Sequence, residues 1–99
     1  MSVTVIADLA VKPEEVDWVI SWLQSIIPES LKAEGFLSAE LRQNQDDPNN
    51  VLILQEFETR ELYWAYMKRY KEPTGPNEAV ERYFAAFERP SEIRFYDHL

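Results

Sequence analysis

The chain has no cysteine and only one histidine among its 99 residues. The first absence removes disulfides, thiolate metal sites and cysteine nucleophiles together. The second leaves the penultimate His98 without the companion ligands that a metal site needs, so no resident metal is expected. Glycine is nearly as scarce, with two residues in all, which leaves no material for a phosphate-cradling loop; neither a P-loop nor a G-x-G-x-x-G pattern occurs. Basic residues number 10 against 18 acidic ones, and the formal charge of −8 is spread from end to end. A phosphate backbone or an anionic bilayer surface would be repelled, which argues against nucleic acid and membrane as partners. No apolar run approaches bilayer-spanning length, and the opening "MSVTVIADLAVKPEE" has neither a basic n-region nor a small-residue cleavage site. The expectation is a soluble cytoplasmic protein, folded as one domain over residues 1–99.

What is present is hydrophobic periodicity that changes along the chain. Residues 2–11 alternate, with Val3, Val5, Ala7, Leu9 and Val11 on one face and Thr4, Ile6, Asp8 and Ala10 on the other, the pattern of a strand with one apolar side. Pro13, Glu14 and Glu15 then open a helix, with proline in the first turn and acids at the positive end of the dipole. Val16, Val19, Ile20, Leu23, Ile27 and Leu31 form its apolar stripe. Pro28 predicts a kink, or an end followed by one more turn, and Gly35 stops the helix. "FLSAELRQ" and "VLILQEFET" flank the turn-forming "NQDDPNN" and read as a hairpin, with Leu37, Ala39 and Leu41 on one face.

Residues 60–71 turn helical, "EPTGP" breaks them, and residues 77–88 form a third helix with Val80, Tyr83, Phe84 and Phe87 on one stripe. "SEIRFYDHL" closes as a strand with Ile93 and Phe95 on one face. The order β-α-β-β-α-α-β predicts an α+β, ferredoxin-like split βαβ antiparallel sheet with helices on one face. Ile6, Leu52 and Leu54 then point away from the helices. An apolar outer face of this kind is covered most simply by a second copy, sheet to sheet about a two-fold axis.

The strand ending in "VKP", the helix ending in "AEGF", the "DDPNN" turn, the run "LQEFETREL" and the closing "IRFY" strand resemble, in that order, the antibiotic biosynthesis monooxygenase domains of the dimeric α+β barrel superfamily. The resemblance spans nearly the whole chain. It implies a homodimer and a cofactor-free pocket between sheet and helices for a small hydrophobic or aromatic ligand. Phe57 stands where the family often has Trp, Ala39 where it often has Tyr, and Ala65 and Tyr66 where many members carry Ala-His, or Trp in place of the His. Haem-degrading relatives place Asn at the position of Ala7 and a ligating histidine on the later helices; with no histidine before His98, haem chemistry is not expected here.

The stretch "ELYWAYMKRY" concentrates three tyrosines and a tryptophan in residues 61–70. Leu62, Tyr63, Tyr66, Met67 and Tyr70 share one helical arc and fit core packing. Tyr66 also fits a pocket role, since it occupies the position of the family's pocket residue and a buried hydroxyl needs a partner. Trp64 lies off the arc, toward a partner, a pocket rim or solvent. Trp18 and Trp22 share the side of the first helix opposite its stripe. Either another subunit or a lid covers them, or, the reading preferred from burial habits, the kink at Pro28 and the C-terminal tail do so.

Glu56 is read as a solvated strand carboxylate, because Glu58 continues an acidic row. Arg94, which alternates away from Ile93 and Phe95, is expected to pair with a carboxylate across a dimer and, secondarily, to stabilise a ligand anion. The functional expectation is a metal-free and flavin-free monooxygenase of a phenol, quinol or polyketide-like aromatic. Tyr66 orients the substrate, Arg94 steadies the anion, and Trp64, Tyr83, Phe57 and Ala7 form the substrate-binding wall. The alternatives are a non-catalytic dimeric module that binds a small hydrophobic ligand, or an isomerase-type enzyme on the same fold. An enclosed cavity with a polar group converging on it separates the first from the second.

Overall fold

A computed structural model describes residues 2–71 and 78–99, with only the backbone for residues 69–71. Strand β1 (Val3–Ala10) leads through a 3₁₀ turn (Pro13–Glu15) into helix α1 (Val16–Ser30). A hairpin of β2 (Phe36–Gln43) and β3 (Asn50–Phe57) follows, then helices α2 (Arg60–Lys71) and α3 (Glu78–Ala85) and strand β4 (Glu92–Asp97). The sheet is antiparallel throughout, in the order β2-β3-β1-β4. That is the predicted split βαβ arrangement. The expected break at residues 72–76, the start of the third helix at Asn77 and the place of Tyr70 in the arc lie outside the described residues.

The period-2 pattern of β1 sets the two faces. Val3, Val5, Ala7 and Leu9 are buried on the helix side, while Thr4, Ile6 and Asp8 look outward and are only partly covered. In the ladder Ile6 lies opposite Leu54 of β3 on one side and Arg94 of β4 on the other, with Leu52 opposite Asp8. An outer apolar strip of Ile6, Leu52 and Leu54 follows, with Tyr96 exposed beside it.

Three local expectations change. Between Phe36 and Ser38 the β2–β3 register slips, so β2 spends two residues where β3 spends one. Leu37 is the extra residue and stands 52% exposed, while Phe36 takes the inward place and stacks on Phe57 at 4.3 Å. Helix α1 passes through Pro28 and ends two residues later, where few backbone bonds remain to be lost. Its last residue is the buried Ser30, and Leu31, expected in the stripe, lies beyond the end and is exposed. Helix α3 stops at Ala85; Phe87 instead forms a backbone bridge with Val11 that ties the segment after α3 to the end of β1.

The chain reverses after α1 at Gly35, whose φ of +77° favours glycine and whose missing side chain makes room for Leu62 of α2. The core divides into two clusters. One gathers Leu9, Val11, Val19 and Val51 under α1; the other gathers Val5, Phe36, Phe57 and Tyr63 under α2.

Candidate active site

Between the two clusters the helices do not close on the sheet. They leave a cavity of about 410 Å³. Its floor is the helix-facing side of the sheet, with Ala7 and Leu9 of β1, Ala39 and Leu41 of β2, and Ile53 and Gln55 of β3. Helix α1 contributes Trp22, Leu23, Ile26, Ile27 and Ser30, and α2 contributes Tyr63, Trp64, Tyr66 and Met67. Tyr83 and Phe84 of α3, with Phe87 beyond it, complete the wall. The cavity is partly open to solvent and is not a void sealed within the core. The space is therefore a place for solvent or ligand, and the small side chains of Ala7 and Ala39 in its floor leave it open.

Among the described residues its polar groups are few and all of them are uncharged. Tyr66, 9% exposed, donates a 2.9 Å hydrogen bond from its hydroxyl to Ser30 Oγ, and its ring meets Phe36 edge-on at 5.0 Å. Tyr63 is 1% exposed and burial pushes its phenol up to about 12, so it stays neutral at physiological pH. Gln55 is 5% exposed. Along β3 the inward residues are Val51, Ile53, Gln55 and Phe57, so a single amide interrupts an apolar row. That amide makes no side-chain hydrogen bond among the described residues, yet no buried side-chain N or O there lacks a partner, so it opens onto the cavity. An amide held away from water without a partner costs about 1–3 kcal/mol.

Of the residues singled out in the sequence, Tyr66, Trp64, Tyr83 and Ala7 meet around this cavity. Trp64 is 45% exposed and forms part of the rim, edge-on to Tyr63 at 5.1 Å. Phe57 is not brought to the cavity surface: it is fully buried behind Phe36, Tyr63 and Tyr66 and supports their rings. Arg94 is not brought there either. It lies on the outer face, where it bonds Asp8 at 3.0 Å and Glu92 at 2.7 Å within its own chain. Strand parity is the reason, since Arg94 pairs with the outward Ile6.

Glu56, also outward, accepts hydrogen bonds from the Thr4 hydroxyl and lies 2.9 Å from His98 Nε2. Partial burial raises its pKa, but these hydrogen bonds, one from Ser2 and the charge of His98 outweigh that and hold it below the ordinary value. A carboxylate held ionised on the far face is no base for the cavity.

The two tryptophans of α1 are covered by α3, not by a kink or by the C-terminal tail. Their rings stack at 5.7 Å, Tyr83 packs on Trp22 at 4.9 Å, and the Arg82 guanidinium sits 4.2 Å over Trp18 while pairing with Glu15 at 2.9 Å. Trp22 thereby becomes a wall residue. Sequence reasoning missed both Trp22 and Gln55. The signal for Gln55 was available, as a polar residue at an apolar parity; for Trp22 it was not, because the position of α3 is a long-range fact. Among the described residues no group of three or more His, Asp or Glu side chains is arranged to hold a metal ion, and no helix is long and apolar enough to cross a membrane.

Solved structures share this fold along nearly its full length. A conserved protein from Methanosarcina mazei is 22% identical with a TM-score of 0.74, covering 97% of this chain and 91% of that one. Rv0793 from Mycobacterium tuberculosis is 18% identical with a TM-score of 0.74, covering 100% and 96%. A Bordetella bronchiseptica protein named for the antibiotic biosynthesis monooxygenases is 14% identical with a TM-score of 0.82, covering 99% and 97%. No curated protein matches the sequence. The sequence pattern described as "Antibiotic biosynthesis monooxygenase" matches residues 2–87, and the chain belongs to that family.

Proposed function

We propose that the chain is a cofactor-independent monooxygenase that takes a small aromatic (a phenol, quinol or polyketide-like ring) into this cavity and oxidises it with dioxygen. The observation that carries the reading is the 410 Å³ aromatic-walled cavity with Gln55 and the Tyr66–Ser30 pair on its surface. In a substrate whose reacting CH₂ is flanked by aromatic rings or carbonyls, loss of a proton leaves an anion that passes an electron to O₂. Carbon and oxygen then combine, and loss of water leaves a carbonyl. One oxygen atom stays in the product, the other leaves as water, and the substrate supplies all the electrons.

The protein's part is to bind, orient and exclude bulk water. Trp64 and Tyr83 hold the ring, and Tyr66, steadied by Ser30, orients its polar edge. The anion-stabilising role first given to Arg94 passes to the Gln55 amide, a neutral donor fixed in an apolar surround. No charged side chain lines the cavity among the described residues, so the proton leaves to solvent at its mouth. That same lack of a base favours a second reading, a module that binds the aromatic without oxidising it.

Oxygen uptake with a panel of phenolic substrates that carry a CH₂ between aromatic rings or carbonyls, such as hydroxylated anthrones, compared between wild type and Tyr66→Phe, tests the first reading. Uptake that falls in the variant supports it. Binding without uptake across the panel leaves the second.

The active unit in this reading is a homodimer joined through the outer strip of Ile6, Leu52 and Leu54. Sedimentation of the wild type beside Leu54→Asp checks this. A wild-type monomer would refute it.

A further inference from the structure

We infer that Gln55 makes this cavity a selector for neutral aromatics that carry one hydrogen-bonding edge, a phenolic hydroxyl or a ketone, and closes it to aromatic carboxylates. The inference rests on the cavity being a ligand site, and it adds the charge class of what enters.

Three observations converge on it. First, 28% of the chain is charged, yet every described residue that lines the cavity is neutral. A ligand that enters already charged would lose its hydration on entry and meet no opposite charge. The anion of the proposed reaction, by contrast, forms inside from a neutral substrate, is spread over the ring and is short-lived. The formal charge of −8 works in the same direction against anions during approach.

Second, the buried Gln55 amide lines the cavity and makes no side-chain hydrogen bond among the described residues. An amide offers two N–H donors and a carbonyl acceptor, so by turning about its last bond it serves a ketone or a hydroxyl equally. It does not neutralise a charge.

Third, Gln55 lies between Val5 and Ala39 in the ladder, and Ala7 lies one step along the inward row, opposite Ile53. The small neighbours leave the amide accessible from above. A long side chain at either alanine would cover it.

The test is calorimetric titration of the full chain at pH 7 with 2-naphthol, 2-naphthoate and naphthalene, which share a ring system and differ at its edge. The hydroxyl should give naphthol about a 2- to 10-fold advantage over naphthalene, and naphthoate should bind more than about tenfold more weakly than naphthol. In Gln55→Met, with circular dichroism and melting as the check on folding, naphthalene binding should persist while the advantage of naphthol disappears. The wild-type ranking decides even if that variant does not fold. Naphthoate binding as tightly as naphthol overturns the inference, as does an unchanged naphthol preference in a folded Gln55→Met. Failure of all three to bind overturns the cavity reading as well. Discriminating binding without oxygen uptake leaves this inference standing and refutes only the oxygenase.

Discussion

The Tyr66 hydroxyl donates a 2.9 Å hydrogen bond to Ser30 Oγ, joining the middle of α2 to the last residue of α1 in the cavity wall, where both side chains are buried. Neither helix needs the other for its own periodicity. The bond links the two helices directly in the cavity wall.

Loss of the hydroxyl in Tyr66→Phe leaves Ser30 without this donor in a buried place, and should cost about 1 kcal/mol, or roughly 4–8 °C in melting temperature for a domain of this size. Ser30→Ala should cost a similar amount. The double variant should cost less than the sum, and a double-mutant cycle by urea unfolding measures the difference.

Filling the cavity from its floor should separate stability from binding. Ala39→Phe adds an apolar ring where the floor is open, so the melting temperature should hold or rise. Calorimetric binding of naphthalene should disappear. Undiminished binding would place the ligand elsewhere.

At Gly35 two costs combine, since a φ of +77° disfavours any side chain and the added carbon would meet Leu62. Gly35→Ala should destabilise by about 1–3 kcal/mol. A shift of the urea midpoint with unchanged slope checks it.

Two groups shape the pH range of stability. Glu56 has its pKa lowered from 4.5 in the folded chain, so its contribution is complete above that value and is lost as pH falls below it. Tyr63 has its pKa raised from 10.0 to about 12, so its contribution is complete below 10.0 and is lost as pH rises toward 12. Urea midpoints measured against pH should flatten on the acid side in Glu56→Gln. Absorbance titration should show one of the five tyrosines ionising late.

Much of the fold is legible in the sequence because its signals are local. The alternation of Val3, Val5, Ala7 and Leu9, the "DDPNN" turn and the spacing of Val16, Val19 and Leu23 need only neighbours to be understood. The same parity assigns Ile6, Leu52 and Leu54 to the outer face, and the structure has them there. Applied consistently, parity also puts Arg94 on that outer face and Gln55 inside. Charge drew the reading toward Arg94, and the uncharged amide was passed over.

The sequence by itself determined which residues form strands and helices and which side of each turns inward, because period and turn chemistry act over a few residues. Only the tertiary structure decided that Trp22 is covered by Tyr83, that Tyr66 finds Ser30, and that Gln55 faces open space. A cavity is the gap left between surfaces that distant parts of the chain bring together. Its volume depends on how far the helices stand from the sheet, which no local pattern encodes.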